Sequence, residues 1–223
     1  MPQSTDRPQS PLSAAGYGFL ALLLAFASIS TDLYLPAMPT MTDALGTSHG
    51  RLELTISAYL LGFAFGQLFW GPFSDHRGRR APLAMGLVLF VFGAIGCALA
   101  TNVAMLIIFR IVQATGASAA VVIGRAIVRD MFEGKEAARV LSTLTAIMVI
   151  APMIGPVLGA RILAIGSWRS IFFTLAAVGL ITFVLMPRVI EETLPESKRL
   201  TSGRIIDRAP ISIFSAIENS RCM

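Results

Sequence analysis

Two ionisable residues sit inside stretches that are otherwise apolar. Asp32 lies in Ser30-Thr31-Asp32-Leu33-Tyr34-Leu35-Pro36, and Arg110 lies eight residues after Asn102. A charge within a bilayer costs a few kcal/mol on insertion scales, so such residues tend to mark ion or substrate pathways. At about 1.5 Å per residue, Asp32 falls roughly 24 Å along its segment from Gly16, and Arg110 about 12 Å along its own from Asn102. If the two segments run in opposite directions, both residues lie in the same half of the membrane. Their depths then differ by about 6 Å, within the reach of an arginine. A carboxylate in a low dielectric beside a fixed cation can exchange protons with a gradient. Two structural readings stand beside this one: Asp32 as an interfacial residue, and Arg110 as a donor to helix-end carbonyls. Gln113 follows Arg110 by three and shares its helical face, so its amide can hold either the guanidinium or a ligand. Tyr34 and Tyr59 carry hydroxyls suited to a polar cavity or an interface, and are candidate cavity residues.

A second group is the polar run Gly71-Pro72-Phe73-Ser74-Asp75-His76-Arg77-Gly78-Arg79-Arg80, set between two apolar stretches. Its Gly and Pro residues suit a tight antiparallel connection, and its arginines fix the side of the membrane it faces. A third is Ala151-Pro152-Met153-Ile154-Gly155-Pro156-Val157-Leu158-Gly159-Ala160. Pro152 and Pro156 each remove a backbone donor and bend a helix, while Gly155 and Gly159 open a groove for a neighbour. The bend serves either gating or packing. The small residues from Ala114 to Ala120 read as a close-packing surface.

The elements that position these residues follow from composition. The chain has 223 residues, 55% hydrophobic and 14% charged, with a mean hydropathy of +0.72, well short of the roughly quarter charged expected of a soluble domain. Six stretches are long enough to span about 30 Å of hydrocarbon as helices: 15–37, 53–73, 82–100, 103–124, 140–162 and 169–187. They lack the alternation of barrel strands. The reading is an all-α polytopic membrane protein in three parts: a tail over 1–14, a six-helix bundle over 15–190 and a second tail over 191–223. Residues 14–27 could pass for a secretory leader, but apolar character continues to Leu35. Of the eighteen basic residues, fourteen fall on one set of loops and ends, including Arg7, Arg77, Arg79, Arg80, Arg125, Arg129, Lys135, Arg139 and Arg188. Only Arg51, Arg161 and Arg169 lie on the other side. Both termini are therefore expected in the cytoplasm. The net charge of +5 does not form the basic stripe with interleaved aromatics that nucleic acid requires. No catalytic, metal or phosphate-loop constellation points to an enzyme. Cys97 and Cys222 give no disulfide framework.

These motifs together resemble the N-terminal half of a major facilitator superfamily transporter. The run Gly71 to Arg80 is similar to the family's loop between helices two and three. Arg110 with Gln113 is similar to its helix-four motif, and Gly155-Pro156-Val157-Leu158-Gly159 to its helix-five antiporter motif. The segment Asp32 to Pro39, Val128-Arg129-Asp130, Trp168-Arg169 and Glu192-Thr193-Leu194-Pro195 narrow the likeness to the bicyclomycin/chloramphenicol-resistance (Bcr/CflA) drug:proton antiporters. Ala114 and Ala160 stand where that family often has glycine, and the chain has the length of one half. The resemblance implies drug efflux in exchange for protons across a bacterial inner membrane, driven by the proton gradient with no cofactor. Asp32 and Arg110 would couple the proton, Tyr34, Tyr59 and Gln113 would line the substrate cavity, and Gly71, Asp75, Arg77, Gly78, Arg79 and Arg80 would form a cytoplasmic gate. Substrate would bind between two six-helix halves. The expectations for this chain are a truncated copy, a non-transporting membrane fragment, or a half-transporter active as a homodimer.

Overall fold

The structure is a computed structural model that describes residues 13–190 and 192–194, the side chains of 147, 150 and 151 excepted. The expectations for residues 1–12, 191 and 195–223, including Cys222 and the basic residues beyond 194, lie outside the described residues. Among the described residues every regular element is helical. The helices are α1 (Ala14–Asp32), α2 (Met38–Ala44), α3 (His49–Arg77), α4 (Arg80–Ala98), α5 (Val103–Met131), α6 (Gly134–Ile165) and α7 (Trp168–Val189). A 3₁₀ turn over Leu35–Ala37 joins α1 to α2, so 14–44 forms one apolar segment. By length and composition 14–44, α3, α4, α5 and α7 can each cross a membrane. The 32-residue α6, whose stretch Pro152–Ile165 is apolar, fills the fifth expected position.

Local chemistry sets the boundaries. Ser13 caps α1 by accepting from the Gly16 amide at 3.2 Å, and Asn102 caps α5 by accepting from Met105 at 2.8 Å. Each such cap contributes about 1 kcal/mol. Ser167 and Ser170 cap α7 reciprocally. Beside them Arg169 stacks on Trp168 at 4.3 Å and donates to the Ala100 carbonyl at 3.2 Å, tying α7 to the α4–α5 connection. At the other end α3 stops at Gly78, whose φ of 88° favours glycine.

The core is built around α5, which packs against α1, α3 and α4 through small residues. A Cβ at Gly66 would collide with Ser118, and one at Gly93 would collide with the backbone of Gln113. In lipid, where burial of apolar surface gives no drive between helices, this close approach supplies the packing that holds them together. The aromatic residues divide. Trp70 and Phe90 are buried, whereas Phe65, Phe69 and Phe92 lie on the outside, as lipid-facing residues would. Substituting Gly93→Val should destabilise the bundle by about 1–3 kcal/mol, as overpacking does. Gly18→Ala, where a Cβ meets nothing within 4 Å, should stay within about 0.5 kcal/mol. Denaturant titration of the two variants in detergent checks the contrast.

Candidate functional site

The Arg110 guanidinium is fully buried among four helices. Its Nη1 donates to the Gln113 side-chain Oε1 at 3.0 Å and to the Ser30 backbone carbonyl at 3.2 Å. Ser30 is in the last turn of α1, where carbonyls run out of intrahelical partners, so Arg110 completes the end of that helix. Three rings enclose the charge: Tyr59 of α3 at 4.2 Å, Tyr34 after α1 at 4.7 Å and Phe172 of α7 at 6.0 Å. Such cation–ring contacts are worth about 2 kcal/mol or more when water is excluded. The Tyr34 hydroxyl and the Thr55 hydroxyl lie 2.7 Å apart, and Thr55 donates to the Leu52 carbonyl at 2.6 Å, which fixes the Tyr34 ring to α3.

Asp32 ends α1 on a different side. Its Cβ lies where a Cβ on Gly155 of α6 would come within 2.5 Å, and a Cβ on Gly159 would strike the Leu33 carbonyl. One carboxylate oxygen is buried without a hydrogen-bond partner. The structure therefore brings Asp32 and Arg110 to the same end of α1 but not into contact. Residues two apart on a helix point in different directions, so Ser30 meets α5 while Asp32 meets α6. Both ion pairs among the described residues belong to Arg79 instead. Tyr34, Tyr59 and Gln113, expected to line a cavity, are buried against Arg110. Pro152 and Pro156 lie inside α6 on either side of Gly155.

The polar run from Gly71 folds into a clamp at the basic end of the bundle. Arg79 donates from Nε to Asp130 at 2.7 Å, and from Nη1 to Asp75 at 2.6 Å and Ser74 at 2.8 Å. Burial works against its charge, but the hydrogen bonds and charges of Asp130 and Asp75 outweigh it and push its pKa up. The segment after α7 closes the clamp. The Glu192 carboxylate accepts from the amides of Arg79 at 2.8 Å and Arg80 at 3.3 Å, where α4 begins and a helix favours negative charge. Gly78 leaves room for it, since a Cβ there would approach that carboxylate to 2.7 Å. Thr193 donates to Asp130 at 3.4 Å. Of the expected gate residues, Asp75, Gly78 and Arg79 are at the centre. Gly71 supplies a carbonyl to Ser74, the Arg80 amide joins through its backbone, and Arg77 points away over Phe73 at 5.7 Å. Ser74, Asp130 and Glu192 complete the clamp without having been expected in it. The signal for the last two was their place at the ends of α5 and α7, on the same side as the 71–80 run.

A family model of the Major Facilitator Superfamily matches residues 20–222. The chain belongs to this superfamily. Its fold and family are those of transporters and not of enzymes. The chain is 38% identical over 186 residues to an uncharacterized MFS-type transporter, YdgK, of Bacillus subtilis, covering 82% of this chain and 46% of that one. It is 32% identical to a bicyclomycin resistance protein homolog of Haemophilus influenzae, covering 82% and 45%. It is 41% identical over 147 residues to a chloramphenicol resistance protein of Pseudomonas aeruginosa, covering 66% and 35%. Among solved superfamily structures, the proton:xylose symporter XylE superposes with a TM-score of 0.71 at 17% identity, covering 80% of this chain and 45% of that one. The human organic anion transporter MFSD10 gives 0.65 at 19% identity, covering 82% and 49%. The chain thus spans about half the length of the curated relatives it matches.

The clamp makes two predictions. Asp130 is less exposed than Asp75, 18% against 42%. Asp130→Asn should therefore cost about 2–3 kcal/mol of stability and Asp75→Asn less than about 1 kcal/mol, as read by denaturant titration. Glu192→Ala should speed hydrogen exchange at the amides of Arg79 and Arg80 while leaving those at the start of α5 unchanged.

Proposed function

We propose that this half-bundle belongs to an exporter of drugs or other small molecules that takes protons in exchange, in the inner membrane of a bacterium. In this reading the six-helix region 15–190 is the working unit, and both termini and the 71–80 clamp face the cytoplasm, as the excess of basic residues at that end favours. Relatives named for bicyclomycin, chloramphenicol and multidrug resistance support the cargo class.

The observation that carries the coupling is Asp32, a carboxylate with no counter-cation among the described residues, seated against the glycine face of a proline-containing helix. Arg110 holds the end of α1 through Ser30, so α1 moves with α5, while Asp32 reports on the spacing to α6. Uptake of a proton removes the charge and lets α6 close on α1, and release calls for water at that seam. Drug binds where this half faces a second six-helix unit, supplied by further chain or by another copy. The aromatic box around Arg110 is buried within this half and braces the helices behind that cavity.

The test is drug accumulation in an efflux-deficient host producing the chain, alone and with a matching second half. Asp32→Asn should reduce proton-driven efflux to background at unchanged abundance in the membrane. Efflux that persists with Asp32→Asn would sink the assignment.

A further inference from the structure

We propose that the groove between α1, α6 and α7 seats one acyl chain of a phospholipid whose phosphate rests on Arg161. The groove has a volume of about 660 Å³ and runs between Ala25 and Ile29 of α1, Ile154 and Leu158 of α6, and Thr174 and Val178 of α7. Its origin is a division of partners. Gly155 and Gly159 bring α6 onto the end of α1, whereas Gly179 sets α7 against Phe90 and Val91 of α4. The two helices are thus drawn apart, and α1 between them keeps an unpacked flank. Among the described lining residues only Thr174 carries a polar side chain, and its hydroxyl donates to the Ser170 carbonyl at 2.8 Å. Water therefore finds no polar partner in the groove. A hydrocarbon chain needs none, and gains dispersion contact on three sides.

Placement and charge point to a membrane lipid. On α1 the lining runs from Ala21 to Leu33, about 18 Å of helix, which fits inside the roughly 30 Å of hydrocarbon. Because α7 packs on α4 and α4 on α5, these two helices back one side of the α1–α5 pair. The groove, walled by α7, opens beside that backing and away from the face proposed for a second six-helix unit. Arg161 follows Leu158 by three residues and Ile154 by seven, so it shares their helical face. It is exposed and lies close to the end of α6 at Ile165, the end opposite the clamp. At about 6 Å from that terminus, its stem can lie on apolar surface while the guanidinium reaches the headgroup layer. A guanidinium fork suits the oxygens of a phosphate. A chain descending from it passes Leu158 and Ile154 within about 10 Å and enters the groove. The inference rests on the membrane-spanning fold and not on which cargo the transporter carries.

The experiment reconstitutes the full chain in phosphatidylglycerol, extracts it into dodecyl maltoside and counts retained lipid by native mass spectrometry. The wild type should keep a phosphatidylglycerol. R161Q should retain roughly fivefold less, the worth of one basic residue at a lipid surface. V178W, which puts a large ring into the groove, should retain roughly tenfold less. V88W adds the same ring at an exposed site on α4 that does not line the groove, and should match the wild type. R161Q alters only an exposed residue and carries the test should V178W fold poorly. Unchanged retention in R161Q or in folded V178W, an equal loss in V88W, or a wild type that keeps no lipid overturns the proposal.

Discussion

A guanidinium buried in a membrane bundle cannot shed its charge and has no water to turn to. The bundle is arranged around that constraint. Arg110 draws a carbonyl from the end of α1, an amide from its own helix and rings from α3, α7 and the turn after α1. Each contact is modest, but every one requires a helix to be in register, so the cation specifies how the helices meet. The glycines and alanines of α5 do the complementary work, allowing the approach that the arginine directs.

The two ends of the bundle handle charge differently. Near the headgroup layer, Arg79 is neutralised by two carboxylates, one of them on the far end of α5. Deeper in, Arg110 is held without a carboxylate among the described residues. Opposite charges brought together in a dry interior must offset a large desolvation cost, whereas rings and a helix-end carbonyl hold the cation without desolvating a second ion. The carboxylate of Asp32 is thereby left without a cation among the described residues, two positions along α1 from the Ser30 carbonyl that holds Arg110.

Much of this was legible in the chain. Span positions follow from apolar length, and the Arg110–Gln113 contact follows from a spacing of three residues. The resemblance named the superfamily from the 71–80 run and the helix-four and helix-five motifs, and the family match agrees. Helix phase was not legible. Depth alone suggested that Arg110 reaches Asp32, but depth ignores direction around the helix, and Ser30 rather than Asp32 meets α5. The roles of Thr55, Tyr59 and Phe172 depend on which faces of α3 and α7 turn inward, and helices apolar on every side give no periodic signal for that. Glu192 lies 113 residues from the amide it caps, a distance no local pattern bridges.

That separation also sets an order of events in time. The 71–80 turn leaves the ribosome well before Glu192 does. At about 5–20 residues per second, the first residues of α4 wait roughly 6–20 s for the carboxylate that caps them. Until then the amides of Arg79 and Arg80 lack the acceptor that they have in the folded bundle. The clamp is therefore among the last features of the bundle to form. Its closure marks the point at which α7 has been made and has taken its place, so the end of the half-bundle certifies a turn near its beginning.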